Sequence, residues 1–130
     1  MPDRASARNA VLIVDDSRTV GRRLAELLNE TGTVDVVGPA VDGREALDLF
    51  GRFRPSAVIL DLQLPDRNGL ELIPTFREAR PPCVIVVLTN FDQPEFRARS
   101  LGAGADYFLS KSEEFEQVAD IVGRLEGTRA

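Results

Sequence analysis

Residues 57–66 read AVILDLQLPD, and this stretch decides the fold. Four apolar residues lead to a single carboxylate, Asp61, and a turn segment containing Pro65 and Gly69 follows it. A short apolar run bounded by turn signals predicts a strand that is buried on both faces, as in a parallel sheet. Asp61 would then stand at the carboxyl end of this strand, where open α/β sheets bind their ligands.

The chain on either side repeats a strand followed by a helix. Strands are predicted at 10–14, 34–38, 57–61, 83–88 and 106–109. Each strand is followed by apolar residues at helical spacing, and Ser17 and Ser112 are predicted to cap the first and last helices. This alternation predicts an α/β fold in which helices cover both faces of a parallel sheet.

The pattern also predicts details of these elements. Residues 39–43 should form a loop, and Phe53 and Leu101 should lie on the buried faces of the second and fourth helices. Acidic residues after Ser112 should stabilise the positive end of the last helix. They are Glu113, Glu114 and Glu116.

Composition limits the classes of function. The 130 residues, 43% of them hydrophobic, predict one domain at 9–126, with a flexible extension at 1–8 and a tail at 127–130. The lack of histidine excludes Ser-His-Asp catalysis and His-ligated metal sites. The net charge of −5 gives this domain no basic charge pattern that would attract nucleic acid. With neither a signal peptide nor an apolar run of about 20 residues, we expect a cytoplasmic protein without a membrane partner.

Polar side chains follow four of the predicted strands: Asp15 and Asp16, Asp61, Thr89 and Lys111. Because the carboxyl ends of parallel strands meet at one edge, we expect these groups to converge. Three clustered carboxylates repel one another, and a hard cation such as Mg²⁺ relieves that repulsion. Metal, ammonium and hydroxyl would together stabilise a transferring phosphoryl group, which Asp61 can accept as an aspartyl phosphate.

Four motifs carry a family resemblance: VDDS at 14–17, LDLQLP at 60–65, LTN at 88–90 and FLSK at 108–111. Together they resemble the receiver domain of two-component response regulators, in particular a stand-alone, chemotaxis-regulator-like receiver. The resemblance implies a flavodoxin-like (βα)5 three-layer sandwich with strand order 2-1-3-4-5. It also implies Mg²⁺-dependent phosphoryl transfer from a histidine kinase or histidine phosphotransfer protein, and hence a signalling protein that catalyses its own phosphorylation and dephosphorylation rather than an enzyme.

The same resemblance implies the metal ligands. Asp16 would bind Mg²⁺ directly and Asp15 mainly through water, and Mn²⁺ is an alternative ion. Asp61 would be both a ligand and the phosphoacceptor, and the backbone carbonyl of Gln63 would complete the ligands from the protein.

Further roles follow from the resemblance. Thr89 and Lys111 would hold the phosphoryl oxygens, and Phe108 would be the aromatic switch that turns inward. The surface formed by residues 93–126 would then change its affinity for a downstream target protein, with the chain a monomer or a phosphorylation-dependent dimer. Arginines on the first helix are a candidate kinase-docking area: Arg18, Arg22 and Arg23.

The sequence departs from the family pattern beside the site. Ser112 stands where the family commonly has proline after the lysine, so we expect a trans bond or a strained local path, because a cis bond before serine costs about 3 kcal/mol. Gln63, Asn90 and Phe91 occupy positions that tune the phosphorylated lifetime. We expect the bulk of Phe91 to hinder the attacking water.

Other functions fit these residues less well. A phosphohydrolase of the haloacid-dehalogenase type needs an aspartate two positions after the nucleophile, where this chain has Gln63. FMN phosphate would be repelled by Asp15 and Asp16 in the absence of metal. A pseudo-receiver that is never phosphorylated does not fit the complete acidic set. A receiver fragment of a larger DNA-binding regulator stays open as an alternative.

Overall fold

The computed structural model describes residues 9–30, 32, 34–80 and 82–129, with side chains as far as Leu125. This part of the chain holds five strands: β1 (Asn9–Val14), β2 (Val34–Ala40), β3 (Ala57–Leu60), β4 (Val84–Thr89) and β5 (Tyr107–Ser110). All neighbouring pairs are parallel, and the order across the sheet is β2-β1-β3-β4-β5. The predicted α/β fold and strand order are confirmed.

The helices alternate with the strands: α1 (Arg18–Asn29), α2 (Gly43–Phe53), α3 (Ile73–Arg77), α4 (Pro94–Ala103) and α5 (Gln117–Arg129). A 3-10 turn (Gly69–Leu72) precedes α3, whose Pro74 lies in the first turn, where no backbone donor is lost. None of the helices described is long and apolar enough to cross a membrane.

The sheet separates two apolar clusters, because successive residues of a strand point to opposite faces. Val58 and Leu60 of β3 belong to the cluster beneath α2, α3 and α4, whereas Ile59 faces α1 and α5. The sheet and the helices on its two faces are the three layers of the predicted flavodoxin-like sandwich. Cys83 is a core residue, 3% exposed inside the first cluster, and desolvation raises the pKa of its thiol to about 11.

Strand β2 is longer than predicted and includes residues 39 and 40 of the expected loop. Val14 pairs with Ala40 after a register shift, and the Asp15 amide donates to the Ala40 carbonyl at 2.8 Å. The irregularity allows the strand to pass Pro39, which has no amide hydrogen to give to the ladder.

The predicted start of the last helix is wrong. Ser17 caps α1 by accepting from the Val20 amide at 3.2 Å, but Ser112 is not at the start of α5, which begins only at Gln117. Residues 111–116 form turns, because the carboxylate of Glu114 binds the backbone of Ser110 at 2.8 Å instead of favouring a helix start. At the other end α5 continues to residue 129, so the described part of the expected tail is helical, whereas residues 1–8 lie outside the described residues.

Two predicted core residues are exposed. Phe53 is 48% exposed at the last position of α2, where the Arg52 guanidinium lies 5.4 Å from its ring. Leu101 is 39% exposed, because α4 buries the preceding Ser100 and each residue turns a helix by about 100°. The helical spacing was correct for both helices, but the width of the buried stripe was overestimated.

Candidate functional site

The first two carboxylates of the site follow two adjacent strands. Asp15 comes directly after β1 and Asp61 directly after β3, and the two residues are 2% and 3% exposed. Each folds back on its own loop: Asp15 Oδ1 accepts from the Ser17 amide at 2.9 Å, and Asp61 Oδ1 from the Gln63 amide at 3.1 Å. The Asp61 amide donates to the Val14 carbonyl at 2.9 Å, so the sheet itself joins the two strand ends.

Lys111 and Thr89 reach the same carboxylates from β5 and β4. The Lys111 Nζ lies 2.8 Å from Oδ2 of Asp15 and 2.8 Å from Oδ2 of Asp61. The Thr89 hydroxyl donates to Asp61 Oδ1 at 2.8 Å. The predicted convergence at one edge of the sheet therefore occurs, and both Asp61 oxygens are engaged by donors.

Burial and pairing act in opposite directions on these charges. Desolvation raises the pKa of Asp15, and its hydrogen bond with Lys111 only partly offsets this. Desolvation alone would lower the pKa of Lys111, but its hydrogen bonds to Asp15 and Asp61 outweigh that effect and raise the pKa. Two buried carboxylates therefore share the Lys111 ammonium and favour its charged form.

Asp16 extends the cluster toward solvent. It is exposed, and one carboxylate oxygen of each of Asp15, Asp16 and Asp61 lies within 4.8 Å of the others. With all four groups ionised, the three carboxylates exceed the one ammonium by two charges, which a single divalent cation would balance. Carboxylate oxygens are ligands for hard cations, so this cluster fits a metal of the Mg²⁺ or Ca²⁺ type. Gln63 pairs with Asn68 in an isolated antiparallel bridge beside it.

The predicted switch residue lies in the core, and two of the predicted lifetime residues directly follow Thr89. Phe108 is 6% exposed within the cluster beneath α2–α4, so its ring is already inward. The Phe91 amide donates to Thr89 Oγ1 at 3.1 Å, and its ring stacks on Phe96 with centroids 5.1 Å apart. Asn90 is exposed between them.

Sequence reasoning missed two residues that support the loop after Asp61. A β-carbon on Gly69 would come within 2.5 Å of the Asp61 carbonyl oxygen, so only glycine fits there. The Asp66 carboxylate accepts from the Gly43 and Arg44 amides at 2.8 and 3.1 Å. These hydrogen bonds lower the pKa of Asp66, and the bond from Gly43 has the largest effect. The turn signals marked this loop but not its long-range partners.

Sequence comparisons agree with this geometry. The family model described as the response regulator receiver domain matches residues 11–123. The chain is 40% identical over 109 residues to the response regulator MprA of Mycolicibacterium vanbaalenii, covering 83% of this chain and 46% of that protein. It is 29% identical over 117 residues to protein CcdB of Bacillus subtilis, covering 90% of this chain and 97% of that protein. The chain thus spans about half the length of MprA, and the share is 56% for the transcriptional regulatory protein DesR of Bacillus subtilis.

Solved structures show the same architecture. The signal receiver domain of the response regulator NarL from Mycobacterium tuberculosis superposes with a TM-score of 0.81 at 26% identity, covering 91% of this chain and 95% of that one. A response regulator protein from Burkholderia pseudomallei, with a phosphorylated aspartic acid, calcium ion and citrate, has a TM-score of 0.78 at 26% identity. That match covers 94% of this chain and 73% of the other.

The sheet order, the buried strand-end carboxylates and the family match lead to one assignment. The match over residues 11–123 covers most of the chain, and the comparisons favour the phosphoacceptor role over the phosphohydrolase alternative. The chain belongs to the response regulator receiver domain family, whose members are the phosphoacceptor domains of two-component signal transduction.

Proposed function

We propose that the receiver domain, residues 9–126, accepts a phosphoryl group on Asp61 from a histidine kinase or a histidine phosphotransfer protein. Mg²⁺ would be held by Asp15, Asp16, Asp61 and the backbone carbonyl of Gln63. The fit of the oxygen donors and the excess negative charge support this metal assignment. The phosphorylated aspartic acid and the calcium ion of the Burkholderia pseudomallei relative support both parts of the proposal.

The contact of Lys111 with Asp61 is the observation that carries the proposal. In transfer, a carboxylate oxygen of Asp61 forms a bond to phosphorus, the bond from phosphorus to the donor histidine nitrogen breaks, and its electron pair stays on that nitrogen. Lys111 and Thr89 already donate to the two Asp61 oxygens, so both stand where they can donate to the phosphoryl oxygens once these arrive. A bound divalent ion would add further neutralisation of the phosphoryl charge.

The proposal extends to the lifetime and the output of the phosphorylated domain. Gln63, Asn90 and Phe91 would set how fast water removes the phosphoryl group. Residues 93–126 would form the surface that a downstream protein contacts, as a monomer or a phosphorylation-dependent dimer. Phe108 is already inward in this structure, so phosphorylation would favour this arrangement rather than create it. A cytoplasmic location belongs to the same proposal.

Incubation with acetyl phosphate and Mg²⁺ tests the phosphoacceptor. Intact mass spectrometry should show a gain of about 80 Da on the native chain, the mass of one phosphoryl group. Asp61→Asn and excess EDTA should each abolish the gain. Asp48→Asn, which removes an exposed carboxylate on α2, is the matched control and should still be modified. An unmodified native chain, or equal modification of Asp61→Asn, would contradict the proposal.

A further inference from the structure

Ser110, the residue before Lys111, is bound by side chains from both neighbouring segments. Its hydroxyl lies 3.0 Å from Oδ2 of Asp92 and 3.1 Å from the hydroxyl of Ser112. Its amide donates to the Glu114 carboxylate at 2.8 Å. Ser110 is 5% exposed, whereas Glu114 is half-buried and Asp92 and Ser112 are exposed, so these bonds run from the edge of the core to the surface.

The direction of each bond follows from the donors available. A serine hydroxyl has one hydrogen, and an ionised carboxylate can only accept. Ser110 therefore donates to Asp92, and Ser112 must be the donor in its contact with Ser110. The result is a short chain of hydrogen bonds from Ser112 through Ser110 to Asp92, ending on a charged acceptor, which makes its last bond the strongest.

This chain of bonds joins the two loops that carry the phosphoryl-binding groups. Asp92 is three residues after Thr89, and Ser110 directly precedes Lys111. The Lys111 amide also donates to the Thr89 carbonyl at 3.0 Å. The Ser110 hydroxyl therefore connects the loop after Thr89 to the strand end that carries the ammonium, in addition to this backbone bond.

The peptide bond between Lys111 and Ser112 is trans, since Gly38–Pro39 is the one cis bond in the described part of the chain. No proline ring fixes the backbone after Lys111, and a serine there leaves both of its dihedral angles free. Glu114 and Asp92 provide the restraint instead, by holding the residue on the other side of the lysine.

We propose that Asp92, Ser110 and Glu114 are positioning residues for phosphoryl transfer. They touch neither Asp61 nor the phosphoryl group, and they act by fixing the separation and orientation of Lys111 and Thr89. The inference rests on the proposed phosphoacceptor function. It predicts that losing the bond between Ser110 and Asp92 slows transfer without weakening metal binding, because neither residue belongs to the acidic cluster.

The test compares the rate of phosphorylation by acetyl phosphate across a range of Mg²⁺ concentrations. Asp92→Ala should lower the maximal rate by about 3- to 10-fold, the factor that corresponds to one hydrogen bond, with the half-saturating Mg²⁺ concentration unchanged. Asp92→Asn keeps an acceptor oxygen and should restore most of the rate. Glu113→Ala, which removes an exposed acid from the same segment, is the matched control and should react like the native chain.

A double-mutant cycle separates this pair from general damage to the loop. Ser110→Ala should slow the reaction as much as Asp92→Ala, and the double variant should be no slower than either single variant. Because Asp92 is exposed, Asp92→Ala should stay folded even if Ser110→Ala is less stable, and circular dichroism checks both.

The outcomes distinguish the two proposals. Native rates in Asp92→Ala and Ser110→Ala, on a chain that is phosphorylated at Asp61, would overturn the positioning role alone. Equal slowing in Asp92→Ala and Asp92→Asn would also overturn it, since the loss would then follow charge rather than the hydrogen bond. A native chain that takes no phosphoryl group would overturn the proposed function and this inference with it.

Discussion

The α-carbon of Gly69 faces the backbone of Asp61 so closely that a β-carbon there would lie 2.5 Å from the Asp61 carbonyl oxygen. The same atom would lie 2.9 Å from the Leu62 α-carbon, and the Gly69 amide donates to the Leu62 carbonyl at 2.7 Å. Both obstacles are backbone atoms, which cannot rotate away as a flexible side chain can. The start of the 3-10 turn therefore packs directly against the backbone of the candidate phosphoacceptor, Asp61.

Gly69→Ala should therefore displace the loop that carries Asp61. We expect a loss of about 1–3 kcal/mol in the free energy of unfolding, as for other overpacked sites, together with slower phosphorylation by acetyl phosphate. Urea denaturation and mass spectrometry measure the two effects. Gly51→Ala is the matched control, because nothing lies within 4 Å of its added carbon on α2, and it should be neutral or stabilising. Equal stability of the two variants would refute the steric explanation.

Arg77 connects α3 to the segment that leads into β5. Its Nε and Nη2 donate to the Gly104 carbonyl at 3.0 and 2.7 Å, and Nη2 also reaches Oδ2 of Asp106 at 2.7 Å. The same Asp106 oxygen accepts from the Ile85 amide at 2.9 Å. A planar guanidinium can make these contacts together because it has several nitrogens, whereas lysine has a single ammonium nitrogen on a flexible stem.

Arg77→Lys should thus lower the free energy of unfolding by about 1–2 kcal/mol, a value reduced for the partial exposure of the ion pair. Thermal or urea unfolding measures the change. Arg52→Lys provides the comparison, because its 3.8 Å pair with Asp48 is largely exposed and should contribute close to nothing. A loss in Arg52→Lys as large as that in Arg77→Lys would show that general arginine effects dominate.

The lowered pKa of Asp66 predicts that the stability of the fold decreases at acid pH. Its pKa is lower in the folded chain than the usual 3.8, chiefly because its carboxylate accepts from the Gly43 amide. A lowered pKa stabilises the fold above the unfolded-state value, and that stabilisation disappears as pH falls through the folded-state pKa. The difference in unfolding free energy between the native chain and Asp66→Asn should therefore be largest at neutral pH and decrease below about pH 4. A difference that is independent of pH would contradict this assignment.

Phe91→Ala should shorten the lifetime of the phosphorylated domain. If the bulk of the ring slows the attacking water, removing it should raise the decay rate by about 2- to 5-fold, equivalent to less than about 1 kcal/mol of barrier. Loss of the added mass over time after removal of acetyl phosphate measures this rate. Phe53→Ala removes an exposed ring at the last position of α2 and should leave the decay rate unchanged. An unchanged rate in Phe91→Ala would mean that its stacking on Phe96 is its main role.

Most of the fold and the centre of the site could be predicted from the sequence for topological reasons. Five apolar runs separated by helical spacing require parallel strands, and parallel strands bring Asp15, Asp61, Thr89 and Lys111 to one edge whatever the details of the loops. The order of the strands came from the family resemblance rather than from the apolar pattern. These predictions depend on residue types and their order, which the sequence states directly.

The features that could not be predicted are those in which a neighbouring side chain or the end of a helix overrides the local pattern. Ser112 has the chemistry of a helix cap, but Glu114 binds the Ser110 amide and the helix starts later. Phe53 fits the helical spacing, but α2 ends at that residue and leaves it exposed. Neither outcome follows from the spacing of apolar residues, because one depends on which backbone group the Glu114 side chain binds and the other on where α2 ends.

The contact of Asp66 with the start of α2 also gives the domain an internal reporter. Asp66 lies five residues after Asp61, whereas the Gly43 and Arg44 amides that it binds belong to another helix. Any rearrangement of the loop after Asp61 must stretch or shorten these two hydrogen bonds. The NMR chemical shifts of the Gly43 and Arg44 amide protons will therefore follow the state of the site without a probe being attached to it.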